Sequence, residues 1–467
     1  MAVVPPPPVL IAGAGPVGLL TALALCRHGV PVRVLERRRD RPHGSRASTL
    51  QPPVLDRLAE LGLLAALAAR GQRVERIAAW DLERGERREL DLALVAGRTA
   101  HPHRLHLELP HLMAALERRL AELAPGCLVR GLEAIGWDRA GPAGEGGTAR
   151  LLARDAEGTL RSLEGSWLVA ADGAHSSLRQ AAGLAFLGQD EAAPVVRLSV
   201  RRLPGPLERQ LAPLTYLRSG ERSLSFLRMV DGWRVILRPA AGEVAAALAC
   251  PPTAGEGQLS EASPWALERL QAALEAALQI AADTAPKAEA GGDGQAQGQA
   301  TDQAETTAAE QAWPGGPIGQ EHYPVRRRRV ERHRLGRLLL IGDAAHVTNT
   351  RGGLNMNFGL LEGLALAEAL AHWWHGRRPA GGEEHTAAAG AVGAWAARWQ
   401  QLTATVLLPR TASMEGAGTL FDLAPGAPDS GRSHSRSGGE QNGQAELEEL
   451  LVRATLLDLA PPQDPRP

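Results

Sequence analysis

The sequence has 467 residues, 44% of them hydrophobic and 22% charged, which is enough for one large or two smaller folded domains. Its formal net charge of −1 gives no overall positive field that would favour nucleic acid or an anionic membrane as a partner. Lys287 is the single lysine, and it lies in a low-complexity stretch. Because P-loop phosphate binding and Schiff-base catalysis each need a well-placed lysine, both classes are excluded.

The cysteines and the N-terminus bear on compartment. Cys26, Cys127 and Cys250 are far apart in the sequence and lack metal-ligand spacing, so we expect no disulfide framework and no metal site. The start MAVVPPPPVL lacks the basic and apolar regions of a signal peptide, and no run of about eighteen apolar residues occurs. We therefore expect a cytoplasmic protein without a membrane span.

The first elements in chain order form a predicted βαβ unit. The apolar run VLIAG is followed by GAGPVG, a helical stretch and a second strand, VPVRVLE. Gly13 permits a tight turn, Gly15 lets a pyrophosphate approach the backbone, and Gly18 allows close packing of helix on strand. Glu36 closes the second strand, where it suits a ribose hydroxyl. The unit predicts dinucleotide binding, the alternative being a tight turn in an α/β domain without a cofactor. Its candidate cofactor residues are Gly13, Gly15, Pro16, Val17, Gly18, Glu36 and Arg37.

The middle of the chain predicts a second kind of sheet. Residues 53–70 and 109–123 read as amphipathic helices, with a hairpin between them that turns near Arg84–Gly85. Four strand-like runs between residues 195 and 240 predict an antiparallel sheet, and residues 264–280 predict a helix. Residues 282–318 are nearly devoid of large apolar side chains, so we interpret them as a disordered insertion. Residues 424–467 are interpreted as a flexible C-terminal tail, with a short helix at 446–457 left open.

Two further motifs follow strand-like runs. In GDAAHVTNTRGGLNMNFG, Asp343 can accept hydrogen bonds from a hydroxylated chain and Gly353 leaves room for a flat ring. Met356 and Asn357 open a helix whose N–H groups would stabilise negative charge on that ring. A plain helix N-terminus is the alternative. In DGAHSSLR, Asp172 and Gly173 are candidate cofactor residues. A nucleophilic Ser176 beside His175 is the less favoured alternative, because the GxSxG elbow is missing.

With these three motifs in this order, the sequence resembles the single-component flavoprotein aromatic hydroxylases of the para-hydroxybenzoate hydroxylase fold, from about residue 8 to about residue 423. The resemblance implies a three-layer α/β, Rossmann-like FAD-binding domain with an antiparallel β-sheet substrate domain. The FAD domain would be discontinuous (8–70, 101–185 and 319–423), and the substrate domain would comprise 71–100 and 186–281. Arg46 matches a family arginine near the flavin, and His111 stands where the family often has Gln or Arg on a helix.

The resemblance also implies an activity. FAD, reduced by NAD(P)H, would react with O2, and the flavin hydroperoxide would hydroxylate a phenolic or other electron-rich aromatic ring. Because the cofactor carries this chemistry, no catalytic side chain is predicted. We expect a small aromatic substrate and a monomer or homodimer. Alternatives are a flavin oxidoreductase of this fold without hydroxylase turnover and a non-catalytic flavin-binding interaction protein.

The candidate substrate residues come mainly from the predicted sheet, with ordinary core packing as the alternative. Departures from the family pattern are Thr350 for Pro, Asn355 for Gly and Glu362 for Asp. Thr350 borders the expected ring cavity, and Asn355 is expected to demand an unusual backbone angle. The full set of substrate candidates is Tyr216, Phe226, Met229, Trp233 and Thr350.

Overall fold

The structure is a computed structural model that describes residues 6–41, 44, 47–140, 148–191, 193–249, 260–283, 317–376, 382–413 and 439–459. No helix within these ranges is long and apolar enough to cross a membrane. The strands are β1 Val9–Ala12, β2 Val32–Glu36, β3 Thr49–Leu50, β4 Gln72–Val74, β5 Arg76–Asp81, β6 Glu86–Asp91, β7 Arg104–His106, β8 Leu128–Arg130, β9 Leu132–Ala140, β10 Thr148–Asp155, β11 Leu160–Gly165, β12 Leu168–Ala170, β13 Phe186–Asp190, β14 Val195–Val200, β15 Leu214–Ser219, β16 Arg222–Met229, β17 Gly232–Arg238, β18 Pro317–Tyr323, β19 Arg326–Val330, β20 Arg334–Leu335, β21 Leu338–Leu340 and β22 His346–Val347. The helices are α1 Pro16–Arg27, α2 Pro52–Glu60, α3 Leu64–Ala68, α4 Leu109–Leu123, α5 Ser177–Ala181, α6 Gly205–Glu208, α7 Val244–Leu248, α8 Pro264–Asp283, α9 Leu354–His375, α10 Gly382–Leu402, α11 Leu408–Ser413 and α12 Gly439–Ala454.

A parallel sheet forms the centre of the first half of the fold. Its order is β20-β21-β12-β1-β2-β8, and all neighbours are parallel except β20 and β21. Along β1, Val9 and Ile11 pack on the side of helices α1, α4 and α9, while Leu10 and Ala12 pack against the antiparallel sheet β11-β10-β9. This alternation buries both faces of the strand. The predicted three-layer α/β class is confirmed.

Helices α1 and α9 begin where they do for local reasons. Proline is the first residue of α1, a position where its missing N–H removes no helical hydrogen bond. Helix α9 follows Gly352 and Gly353, whose φ angles of 69° and 63° reverse the chain direction before Leu354. Neither helix has a side-chain cap. Their first N–H groups therefore remain available to a ligand.

The second half of the fold is built on a mostly antiparallel sheet in the order β18-β14-β17-β16-β15-β5-β6. The predicted hairpin is confirmed as β5 and β6, with Gly85 at a φ of 64° in the turn. One face of this sheet packs against α8 in a separate apolar cluster that includes Phe226, Val235 and Leu270. The opposite face of the sheet is therefore turned toward the part of the molecule that contains the parallel sheet.

The domain boundaries expected from the sequence differ from the observed pairing at three strands. Strand β18 spans the end of the predicted insertion and the start of 319–423, assigned to the FAD domain, yet it pairs with β14 at the edge of the antiparallel sheet. Strand β13 lies within 186–281 but pairs with β19, and β4 pairs with β7 instead of joining the hairpin sheet. The reason is physical, because local patterning predicts a strand but not its partner.

The structure places helix α12, Gly439–Ala454, in the region predicted as a flexible tail, where a short helix over 446–457 had been left open. Leu451, Val452 and Leu456 are buried in the main core, so the prediction of flexibility is wrong for these residues. Their apolar side chains supply the buried surface that a segment needs in order to be ordered. The insertion predicted at 282–318 lies outside the described residues, apart from the end of α8 and the start of β18.

Candidate active site

A cavity of about 650 Å³ opens between the two halves of the molecule. Its first wall is the loop between β1 and α1, its second the turn after β12, and its third the segment from Asp343 to Met356. The antiparallel sheet contributes the fourth wall. The three motifs identified in the sequence therefore meet at one place, at the carboxyl ends of the parallel strands, where ligands bind in open α/β sheets.

The glycines of the first wall fit a bound pyrophosphate. A Cβ at Gly13 would lie 2.3 Å from the carbonyl oxygen of Ala171, and one at Gly18 would lie 2.1 Å from the carbonyl oxygen of Gly13. A Cβ at Gly15 would meet no protein atom within 4 Å, yet Gly15 lines the cavity. Gly13 and Gly18 are thus required by packing, whereas Gly15 leaves space that a phosphate would fill. Pro16 and Val17 line the same wall, and Gly18 does not.

Glu36 lies at the same wall and is held in place by backbone donors. Its carboxylate accepts hydrogen bonds from the N–H groups of Ala14 and Arg38, both at 2.9 Å. These bonds tie the end of β2 to the glycine loop and leave further lone pairs for a ribose hydroxyl. Arg37 also lines the cavity.

The second wall is the Asp172 turn. One carboxylate oxygen of Asp172 accepts from the N–H of Leu178 at 3.3 Å, and the other is buried without a partner. Burial raises the pKa of Asp172 above its ordinary value. Ser176 is fully buried and accepts from the N–H of Arg179 at 3.0 Å, which makes it the cap of α5 and not a nucleophile. Asp172 and Gly173 both line the cavity.

The third wall carries the glycine–asparagine motif. Asp343, Thr350, Gly353 and Met356 all line the cavity, as expected. Asn355 lines it too, and its backbone is helical, so the expectation of an unusual backbone angle there is wrong. The uncapped N-terminus of α9 therefore faces the cavity, and its partial positive charge favours an anionic group.

Two further predicted cofactor residues do not line the cavity, and a third cannot be placed because it lies outside the described residues. Asn357 does not line the cavity; its side chain donates to the carbonyl oxygens of Thr49 and Gly353 and accepts from the N–H of Gln51. It therefore holds β3 against the start of α9. His111 lies on α4 but is not in the cavity wall, which takes Leu109 and Met113 from that helix. Arg46 lies outside the described residues.

The prediction of the sheet wall is wrong for Phe226 and Trp233. Both are buried in the apolar cluster against α8, on the face opposite to the cavity, and the Trp233 indole reaches Glu208 at 3.2 Å. Met229 is buried at the end of β16 and is not in the wall. Tyr216 is placed as predicted. The sheet residues that line the cavity are Leu214, Tyr216, Ser225, Leu227, Ile236, Arg238 and Tyr323.

Sequence reasoning missed the polar part of this wall. Along β16, Ser225 and Leu227 face the cavity while Leu224 and Phe226 face α8, so the alternation of a strand separates the two sets. Tyr216 stands opposite Ser225 on neighbouring strands, and Arg238 donates to the Ser225 hydroxyl at 2.9 Å. Selecting every second residue along β15, β16 and β17, on the face away from α8, would have found these residues. Selecting large aromatic side chains found residues of the core instead.

Arg104 is the other residue that the sequence did not single out. It lies on β7, is fully buried, and lines the cavity. Its guanidinium is bonded to Tyr216 and reaches the carbonyl oxygen of Ala454 at 3.4 Å, while its Nε is without a partner. Among the described residues no carboxylate forms an ion pair with it, and burial lowers the pKa of its guanidinium. The end of the cavity beside the antiparallel sheet therefore carries a positive charge, and the Nε of Arg104 there has no hydrogen-bond acceptor.

The fold and the cavity together define a dinucleotide-binding protein in which the glycine-rich walls and an antiparallel sheet face one shared cavity. A protein-family model described as "FAD binding domain" matches residues 7–395. The chain belongs to this family.

Named relatives are similar over most of the chain. Para-nitrophenol 4-monooxygenase from Pseudomonas sp. (strain WBC-3) is 27% identical over 385 residues, covering 78% of this chain and 77% of that protein. The 6-methylpretetramide 4-monooxygenase of Streptomyces rimosus is 29% identical, covering 78% of this chain and 56% of that protein. The crystal structure of p-nitrophenol 4-monooxygenase PnpA from Pseudomonas putida DLL-E4 superposes with a TM-score of 0.67 at 22% identity and covers 97% of both chains.

The named relatives indicate the class of enzyme within this family. The chain is a member of the FAD-dependent aromatic hydroxylases and an oxidoreductase of the monooxygenase class, as predicted. Its cofactor is FAD, and NAD(P)H is the typical reductant of these monooxygenases.

Proposed function

We propose that this protein uses NAD(P)H and O2 to hydroxylate a small phenol or another electron-rich aromatic ring. The observation that carries the proposal is the single cavity shared by the glycine loop, the start of α9 and the polar face of the antiparallel sheet. A cofactor held along the first three walls would present its ring to a substrate held at the fourth. That fourth wall gives an organic substrate a place beside the ring, which a non-catalytic flavin-binding protein would not need.

The cofactor would be held mainly by backbone groups. The N–H groups at the start of α1 would take the pyrophosphate, Glu36 the adenosine ribose, and Asp343 the ribityl hydroxyls. Asp172, with its unpartnered oxygen, would bond near the ring, and the start of α9 would stabilise negative charge at the ring edge. When bound, FAD would supply the redox chemistry of the reaction, namely hydride uptake and the activation of O2.

The substrate would be held by the sheet. Leu214, Leu227 and Ile236 offer apolar surface to an aromatic ring and exclude water from it. Arg104 and Tyr216 offer donors at the polar end of this wall, where a phenol or phenolate oxygen would satisfy the buried guanidinium. The names of the relatives support this assignment, because two of the proteins similar to this chain are monooxygenases of para-nitrophenol.

The test is a set of para-substituted phenols of graded acidity, assayed with the FAD-loaded protein for NADPH and NADH oxidation and for hydroxylated product. We expect product in step with nicotinamide oxidation, and tighter binding of the more acidic phenols. Arg104→Gln should weaken that binding by about tenfold to a hundredfold, the range of hydrogen bonds to a charged group, with FAD content unchanged. Nicotinamide oxidation that yields only hydrogen peroxide with every phenol would contradict hydroxylation and favour the oxidoreductase alternative.

A further inference from the structure

A line of polar groups leads from the cavity into the core beneath the third wall. Asn355, in the first turn of α9, donates from its side-chain nitrogen to the Asp343 carboxylate at 2.8 Å. Its side-chain oxygen lies 3.0 Å from Nδ1 of His346. Asp343 and Asn355 line the cavity, whereas His346 is fully buried. Asn355 therefore bridges a carboxylate at the cavity and an imidazole in the core.

The imidazole is paired with a buried acid. Nε2 of His346 lies 3.1 Å from one oxygen of Glu362, which also accepts the N–H of Gly342 at 2.7 Å. The other Glu362 oxygen lies 3.2 Å from Nε2 of His333, and all three side chains are inaccessible to solvent. Burial alone would raise the pKa of Glu362, but His346 and His333 hold it at about 2. Burial would likewise lower the pKa of His346, but Glu362, together with Asn355 and Asp343, raises it above its ordinary value.

Protonated His346 leaves the Asn355 amide one orientation. An imidazolium has two N–H donors, and here one faces Glu362 and the other faces the Asn355 oxygen. With its oxygen held by His346, the Asn355 amide must turn its NH₂ group toward Asp343. The NH₂ group in turn stabilises Asp343 as an ionised acceptor. The buried Glu362–His346 pair thus determines the hydrogen-bonding state of a carboxylate that is exposed in the cavity.

We propose that Asn355 is a positioning residue that transmits the fixed orientation of the Glu362–His346 pair to Asp343, and that it thereby sets the affinity of the chain for the hydroxylated chain of FAD. The inference concerns cofactor affinity and goes beyond the proposed reaction. It assigns a role to a side chain that sequence reasoning had noted only as a departure from the family.

The test is a titration of the apoprotein with FAD, followed by flavin fluorescence between about pH 5.5 and about pH 7.5, a range around the ordinary pKa of histidine. Asn355→Ala removes the bridge. Asn355→Asp keeps its shape but places a carboxylate between Asp343 and His346, with Glu362 as the next charge. Asn349→Ala is the control, because Asn349 also lines the cavity, donates to the carbonyl oxygen of Thr411, and its replacement adds no titratable group.

We expect both substitutions at residue 355 to raise the Kd for FAD at about pH 7.5 by about tenfold to a hundredfold. On acidification the Asn355→Asp variant should recover most of the wild-type affinity, because its carboxyl takes up a proton shared with Asp343 and becomes a donor again. Asn355→Ala and Asn349→Ala should show no such recovery, because neither variant gains a carboxyl that can take up a proton. Apoprotein thermal midpoints measured in parallel identify any variant that has lost its fold.

Two results would overturn the proposal. One is an unchanged Kd in both variants at residue 355. The other is a loss of affinity in Asn355→Asp that persists at low pH, as expected of added charge alone. Because the titration uses neither reductant nor substrate, its outcome is independent of the phenol assay. A failure to hydroxylate phenols would leave this inference standing, and the reverse also holds.

Discussion

The glycine-rich side of the cavity is formed by three short runs of consecutive residues whose backbone groups we propose as cofactor contacts: Gly13 to Val17, Asp172 to Gly173, and Gly352 to Met356. The sheet side is formed by side chains from β7, β15, β16, β17 and β18, which are spread over nearly half of the chain, from Arg104 to Tyr323. The first side depends on turn geometry, which a short motif specifies. The second depends on strand register, which only the assembled sheet specifies. The variants below test this difference.

The largest effect is expected from a matched pair of glycine substitutions. Gly13→Val should abolish folding or cost more than about 3 kcal/mol, because Gly13 has a φ of 103° and no space for a Cβ. Gly15→Val should give soluble, colourless protein with a thermal midpoint like that of the wild-type apoprotein, because its side chain would occupy only ligand space. Calorimetry and flavin absorbance measure the two effects. A yellow Gly15→Val protein would still contain FAD, and this result would contradict the placement of the pyrophosphate at this loop.

The next pair tests the two faces of β16. Phe226→Ala should lower the free energy of unfolding by about 3–5 kcal/mol, because the ring is fully buried against the α8 cluster. The ligand affinity of the folded fraction should stay unchanged. Ser225→Ala should cost little stability but should alter phenol binding, because the Ser225 hydroxyl positions Arg238. Urea unfolding and phenol titration separate these outcomes, and weaker phenol binding by folded Phe226→Ala protein would contradict the assignment of faces.

Glu362→Gln tests the buried charges with pH. The pKa of Glu362, about 2 in the folded protein, is below its ordinary 4.5, so its ionised form stabilises the fold above about pH 4.5 and this contribution is lost as the pH falls toward 2. The pKa of His346 is raised from 6.5, so its contribution is complete below about pH 6.5 and is lost as the pH rises through the raised value. The wild type should therefore exceed the variant by about 3–5 kcal/mol between these limits, and by less on either side. Urea unfolding across pH measures the difference, and a difference independent of pH would contradict the charged pair.

The smallest effect is expected from deletion of residues 284–312, which lie outside the described residues and link the end of α8 to the region before β18. The composition of this stretch offers almost nothing for a core, so the deletion should change the free energy of unfolding by less than about 1 kcal/mol. Flavin content should also stay the same. A larger loss of thermal stability would show that the stretch packs against one of the two halves.

What the sequence predicted follows the same division. The βαβ unit, the cavity position of Asp343 and the helix over 109–123 were predictable, because each depends on a few adjacent residues and a known turn. The orientation of Asn357 was not, because its partners are Thr49 in β3 and Gln51 just after it, about three hundred residues earlier. The role of Arg104 was hidden for the same reason, since β7 meets Tyr216 of β15 only in the assembled fold.

The order of strands in the parallel sheet has a consequence for synthesis on the ribosome. β12, β1, β2 and β8 are all translated by residue 170, but their neighbour β21 begins at Leu338. At a translation rate of about 5–20 residues per second, the apolar edge of β12 remains unpaired for on the order of ten to thirty seconds before β21 is made. Asp343 and the start of α9 follow directly after β21. We therefore expect the nascent chain to acquire its flavin only after the start of α9 has been synthesised, and the exposed edge of β12 to be the part that a chaperone must protect until then.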